Sequence, residues 1–320
     1  MTSPYSDLED KAYWRSGVVN TDKNFWPNLF VPKFGITPDT AIATAGSCFA
    51  QHIGRTLKGH GMTVLDAEPA PNGLSDDDAK RHGFGVYSAR YGNIYTPRQL
   101  RELLDDAVED RVHEDLFWVK DNRHFDALRP GITPDGFDSL ESAMDQRRTH
   151  LARVRALISD TDIFIFTLGL TEGWMDERAG RIMALAPGVI AGAYDASRYR
   201  FHNFTFEELL EDIEAVYAML RAIRPDIKLL LTVSPVPLTA TAAGDHVLAA
   251  TTYSKSTLRS VSGEMSHKYK DVDYFPSYEL VTTWAQDIPA FEPNLRSVAP
   301  EMVSRVMSVF LRAQGIGATD

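Results

Sequence analysis

Two apolar runs, "DIFIFTLG" at 162–169 and "IKLLLTVSP" at 227–235, constrain this chain more than any other feature. Both are short, rich in Ile, Leu, Phe and Val, and almost free of polar interruption. A strand with one wet face alternates, so these runs read as strands covered on both faces, as in a parallel sheet. "TAIATAG" (40–46), "MTVLDAE" (62–68) and "DVDYFPSY" (271–278) bring the set to five. Helical patterns lie between them. Residues 139–158 carry Leu140, Met144, Leu151, Val154 and Ile158 along one face. Residues 206–223 open with Thr205 and Glu208 at the spacing of a capping box and stop before Pro225. Further helices are expected at 97–108, 247–265 and 299–313. This alternation predicts an α/β fold: a flavodoxin-like, doubly wound, five-stranded parallel sheet.

The first 35 residues lack either period and are rich in aromatics and proline. They are expected to form an extended arm anchored by Trp14, Phe25, Trp26 and Phe30, followed by one α/β domain over 36–320. The interval 69–138 is too long for a simple connection and reads as an insertion, a lid or substrate wall over the sheet's carboxyl edge.

Composition excludes several functions. A net charge of −11 argues against a nucleic-acid partner. No apolar run reaches membrane-spanning length and the polar N-terminus has no secretory pattern, so a soluble, cytoplasmic protein with no membrane partner is expected. One cysteine rules out an intramolecular disulfide and a multi-cysteine zinc site. No dinucleotide fingerprint, Walker motif or His-Glu-x-x-His is present, so neither cofactor nor metal is expected. The oligomeric state stays open.

In a doubly wound sheet, ligands bind beyond the carboxyl ends of the strands. Here those ends carry Gly46 to Cys48, Gly169 to Glu172, Ser234 to Leu238, and Tyr278 to Glu279. The sole cysteine thus stands at a strand–helix junction, where unpaired N–H groups and the helix dipole favour an anion.

The segment "GSCFA" (46–50) is the motif of the GSCFA domain family, and the resemblance extends through "YGNIYTPRQL", "FTLGLTEGW", "TVSPVPLTAT", "YSKSTLR" and "YFPSYE". That family resembles a branch of the SGNH/GDSL hydrolases, whose first block is Gly-Asp-Ser with a serine nucleophile. Without a gap, the resemblance puts Cys48 at the nucleophile position; a one-residue slip restores Ser47. A third reading makes Cys48 a small buried filler. Gly169-Leu170-Thr171-Glu172 occupies the place of the Gly-x-Asn-Asp block, where Thr171 offers one donor and a helix-cap role competes. The N–H groups of Cys48 and of Gly92, in "YGN" with Asn93, are further oxyanion donors. The departure comes at the last block, Asp-x-x-His, where Asn294 and Ser297 stand and no normal triad can close.

Another base is therefore required if the site is catalytic. His246 opens the helix after the fourth strand, His52 lies one turn beyond Cys48, and His202 precedes a capped helix. Lys255 could bind an anionic substrate and Glu279 could orient a histidine, against a solvated helix charge and a local hydrogen bond. Arg90 and Arg296 could meet a carboxylate or phosphate, or pair at the surface. The resemblance implies an SGNH-type esterase or acyltransferase acting through an acyl-enzyme on an O-acylated substrate, a small molecule or carbohydrate. Loss of the Asp-x-x-His pair implies instead a non-catalytic binding module on the same fold.

Overall fold

The computed structural model describes residues 3–317. In chain order the strands are β1 (Ile42–Gly46), β2 (Phe117–Lys120), β3 (Arg123–Asp126), β4 (Ile163–Leu168), β5 (Glu172–Asp176), β6 (Arg181–Met183), β7 (Tyr199–Asn203), β8 (Lys228–Val233) and β9 (Val272–Phe275). The α-helices are α1 (Ala50–Gly59), α2 (Asp76–Arg81), α3 (Pro97–Glu109), α4 (Leu140–Asp160), α5 (Phe206–Ile223), α6 (Val247–Lys268), α7 (Ser277–Thr282) and α8 (Pro300–Ala313).

The central sheet is parallel, with order β1-β4-β8-β9. Its residues alternate between two cores, which is why its strands read as unbroken apolar runs. Phe164, Phe166, Leu229 and Leu231 face the layer of α3, α4, α5 and α6. Ile163, Ile165, Leu230 and Phe275 face α1, α7, α8 and the N-terminal segment. Helices on both faces make the sheet doubly wound.

The expected strand at 62–68 is reduced to a single parallel bridge, Ile42 with Val64. The edge of β1 is occupied by other groups. Ile42 N–H donates to Thr63 O (2.9 Å) and Leu65 N–H to Ile42 O (2.8 Å). Beyond that point the Ser88 hydroxyl accepts from Thr44 N–H, and Ser88 and Ile94 donate their N–H groups to Thr44 O and Gly46 O. The insertion therefore covers the edge that a fifth strand would have completed.

Much of the interval 69–138 is core. Leu100, Leu103, Leu104 and Ala107 of α3 are buried with α4 and α5. The capping box of Thr96 with Gln99, and Pro97 in the first turn, start α3; Asp110 in the left-handed region ends it. The antiparallel hairpin β2–β3 follows. A feature absent from the expectations is a second antiparallel sheet, order β6-β5-β7, between β4 and α5.

In the N-terminal segment Trp26 and Phe30 are buried, whereas Trp14 and Phe25 are exposed. Residues 10–12 form a 3-10 turn and 15–19 a π-helical turn. Residues 1 and 2 of the expected arm lie outside the described residues.

Candidate active site

β1 ends at Gly46, with φ +136°, and a Cβ there would lie 2.3 Å from Thr167 O. Only glycine lets the chain leave the sheet so close to β4. Ser47 N–H donates to Thr167 O (3.1 Å), and a tight turn follows in which Ala50 N–H donates to Ser47 O (2.9 Å). This turn separates the two rival nucleophiles. Ser47 is buried and its Oγ has no hydrogen-bond partner, while Cys48 is exposed. The N–H groups of Cys48 and Phe49 have no protein acceptor among the described residues.

Cys48 opens into a cleft of about 340 Å³, lined also by Ser47, Tyr95, Gly169, Trp174, Ser234 and Arg296 among others. Gly169 follows β4 and donates its N–H to Tyr95 O (2.8 Å); a Cβ there would come within 2.7 Å of Tyr95 Cδ1 and 3.2 Å of Ser47 Cβ. The Gly169 carbonyl accepts from Lys255 Nζ. Lys255, on α6, is wholly buried; burial, helped by the charge of Arg296, lowers its pKa to about 7, and the Cys48 side chain acts in the opposite sense. Burial, then the charge of Cys48, raises the Tyr95 phenol to about 12.

Gly92 and Asn93 line an adjoining chamber of about 440 Å³ that shares Tyr95, Ala184 and Leu185 with the Cys48 cleft. Gly92 adopts φ +69°, and Asn93 Oδ1 accepts from the Tyr87 hydroxyl (2.6 Å). Thr171 is fully engaged: its hydroxyl donates to Asn203 Oδ1 (2.6 Å) and its N–H to Ser254 Oγ (3.0 Å). Glu172 opens β5, accepts from the Thr241 hydroxyl (2.7 Å), and has its pKa raised by burial. Glu279 accepts from Arg259 and from the Tyr274 hydroxyl (2.8 Å), outside the cleft lining.

No histidine lines either chamber. His246 is the exposed N-cap of α6, where its Nδ1 accepts from Leu248 N–H (3.2 Å). His52 packs its ring against Phe49, and burial followed by Arg55 lowers its pKa. His202 bonds Glu208 (2.9 Å) and stands edge-on to Phe204. Arg90 is structural: it donates to His82 O and Ile132 O and covers the Phe84 ring.

Asn294 and Ser297 build a turn rather than an acid–base pair. Asn294 Oδ1 accepts from the N–H groups of Arg296 and Ser297 (both 2.9 Å), Asn294 Nδ2 donates to Ser297 Oγ (3.0 Å), and Leu295 takes φ +53°. The turn sets Arg296 in the lining of the cleft. Sequence reasoning also missed Trp174 and the segment from Ala184 to Val189, which form a wall from the second sheet. The alternation in "EGWMD" and the turn before "GRIM" were available signals. Among the described residues, no group of three or more His, Cys, Asp or Glu side chains could hold a metal ion, and no helix is long and apolar enough to cross a membrane.

The GSCFA family model matches residues 41–310, which take in every element from β1 to most of α8. The chain belongs to the GSCFA family. This GSCFA chain has no match among curated protein sequences. Among solved structures it is similar to the Clostridium thermocellum family 3 carbohydrate esterase, with TM-score 0.35 and 8% identity over 85% of this chain and 94% of that one. It is also similar to a family 3 carbohydrate esterase from Talaromyces cellulolyticus, with TM-score 0.37 and 8% identity over 88% and 100% of the two chains.

Proposed function

We propose that this GSCFA protein is an esterase or acyltransferase that works through an acyl-thioester on Cys48 and acts on an O-acylated, carbohydrate-like substrate. One observation carries the reading: an exposed thiol, its own N–H free, stands in a cleft at the carboxyl end of β1. Ser47, with its hydroxyl buried, serves the turn instead.

The chemistry follows from the groups present. The thiolate attacks the ester carbonyl, and the Cys48 N–H receives the developing oxyanion. The C–S bond forms, the C–O bond breaks, and the leaving alkoxide takes a proton. That proton is exchanged by way of Lys255, whose amine bonds the carbonyl of Gly169 in the cleft wall. Water or an acceptor hydroxyl then attacks the thioester, returning its proton to the Lys255–Cys48 pair. Trp174 and Tyr95 offer aromatic surface against which a sugar ring can lie.

Turnover of short-chain acyl esters, with intact-protein mass spectrometry, tests this. Cys48→Ala should abolish both turnover and the acyl adduct, while Ser47→Ala and His246→Ala keep the adduct. Robust turnover by Cys48→Ala would refute the reading. A protein with no turnover and no adduct even before mutation would favour a binding module.

A further inference from the structure

The two chambers differ from the rest of the molecule in charge. The chain carries 44 acidic residues against 33 Lys and Arg, yet no Asp or Glu lines either chamber. Four cations do: Arg296 beside Cys48, and Arg55, Lys80 and Arg129 in the adjoining chamber. Several basic side chains elsewhere that reach the interior are paired with carboxylates, as Arg98 is with Asp212, Arg198 with Asp176, and Arg147 with Asp106 and Asp126, while Lys255 and Arg90 bond backbone carbonyls. Arg55, Lys80 and Arg296 form no ion pair among the described residues. Arg55 Nη2 only meets Gln51 Oε1 (3.0 Å). Arg129 also lines the adjoining chamber, but its guanidinium is paired with Asp126 (2.7 Å) and bonds the carbonyl of Arg90 (2.9 Å) and Gln146, so the unpaired cations are Arg55, Lys80 and Arg296.

The two chambers are also contiguous, sharing Tyr95, Ala184 and Leu185. Gln51 and Arg55, four residues apart on α1, lie on one face of that helix, and both line the adjoining chamber. An anionic group held by Arg55 and Lys80 can therefore belong to the same ligand whose carbonyl meets Cys48.

We propose that the chamber beyond Tyr95 binds an oxyanion of the substrate, a phosphate ester or a carboxylate, so that the ligand is an anionic sugar or an equally sized anionic ester. This deepens the acyl-transfer reading and names its substrate class. Guanidinium and ammonium groups unpaired in a partly enclosed site suit either oxyanion.

Binding to the Cys48→Ala protein tests the proposal apart from any chemistry at the thiol. The probes are inorganic phosphate, glucose 6-phosphate, glucuronate and neutral glucose, followed by calorimetry. Glucose 6-phosphate or glucuronate, but not glucose, should bind, and affinity should weaken as salt rises. Arg55→Gln/Lys80→Gln should weaken that binding about tenfold or more, the loss of charge-assisted hydrogen bonds. Both substituted side chains are exposed, and an unchanged melting temperature confirms folding. Glucose 6-phosphate binding without glucuronate identifies a phosphate ester, the reverse a carboxylate, and inorganic phosphate binding without either sugar anion overturns the proposal. Failure of all three anions to bind, glucose binding as well as they do, or an unchanged affinity in the double variant overturns the proposal. Each of those results leaves the acyl-adduct test on Cys48 standing.

Discussion

At the scale of single residues, the buried amine of Lys255 ties stability to pH. An unfolded lysine titrates near 10.5 and the folded one near 7, so between these values the unfolded chain holds more protons and stability rises with pH. Lys255→Met removes the buried ammonium and also the bond to Gly169 O, a loss that does not vary with pH. Its Tm relative to the unmutated protein is therefore expected to be highest below pH 7 and to decline toward pH 10.5. Thermal melts across that range check this, and a flat difference would mean that Lys255 keeps its charge. Gly169→Ala should cost about 1–3 kcal/mol, because the new methyl meets Tyr95 and Ser47 at overpacked distances. Urea melts read that loss. The glycines and Cys48 were legible from sequence because a strand–turn–helix junction demands particular residue types there. Lys255 was legible as a residue but not as a buried one, since burial of an ammonium depends on which helix face α6 turns inward.

At the scale of elements, side chains do work that backbone pairing would otherwise do. After the single bridge at Val64, the chain is tied down by Glu68, which accepts from His150 Nδ1 and Arg90 N–H (both 2.7 Å). Burial and Arg129 lower the His150 pKa to about 3. Against the cost of its own burial, the bond from His150 and the charge of Arg129 lower Glu68 to about 2. Both folded values lie below the ordinary 6.5 and 4.5, so the unfolded chain takes up protons first as pH falls. Stability should decline from about pH 6.5 downward. His150→Gln, which keeps a donor for Glu68, should lower stability by about 1–2 kcal/mol at pH 7 and flatten the decline between pH 6.5 and 4.5. Denaturation at a series of pH values measures both effects. The capped helices α3 and α5 were readable because caps are local. The fate of 62–68 was not, because "MTVLDAE" has strand chemistry and its displacement depends on Ser88 and Ile94, which are distant in sequence. The turn carrying Arg296 is similar: Asn294 reads as a turn former, but its orientation toward Cys48 is set by tertiary packing.

For the whole molecule, the sheet divides the core in two, and the halves have different dependence on the N-terminal segment. The face with α3 to α6 includes no residue of the N-terminal segment. The face with α1, α7 and α8 includes Trp26, Phe30, Phe34 and Ile36, and Phe30 stands edge-on to Phe275 and stacks on Phe310. The same segment covers the β9 edge: Lys33 N–H donates to Asp273 Oδ2 and Lys33 Nζ to Val272 O (both 2.8 Å). Residues 3–20 fully bury no side chain: Val18 packs half-buried against this core, and the exposed Trp14 meets the exposed Trp284. Two truncations should therefore behave differently. Removing residues 1–20 should shift Tm by a few degrees at most, in line with a loss of about 1 kcal/mol or less. Removing residues 1–35 takes out three buried aromatics at about 1.5–3 kcal/mol each, a sum comparable with a domain's entire stability of about 5–15 kcal/mol. That protein should lose its cooperative melt, followed by circular dichroism. A cooperative transition retained after the longer deletion would show that the β9 face closes without the segment.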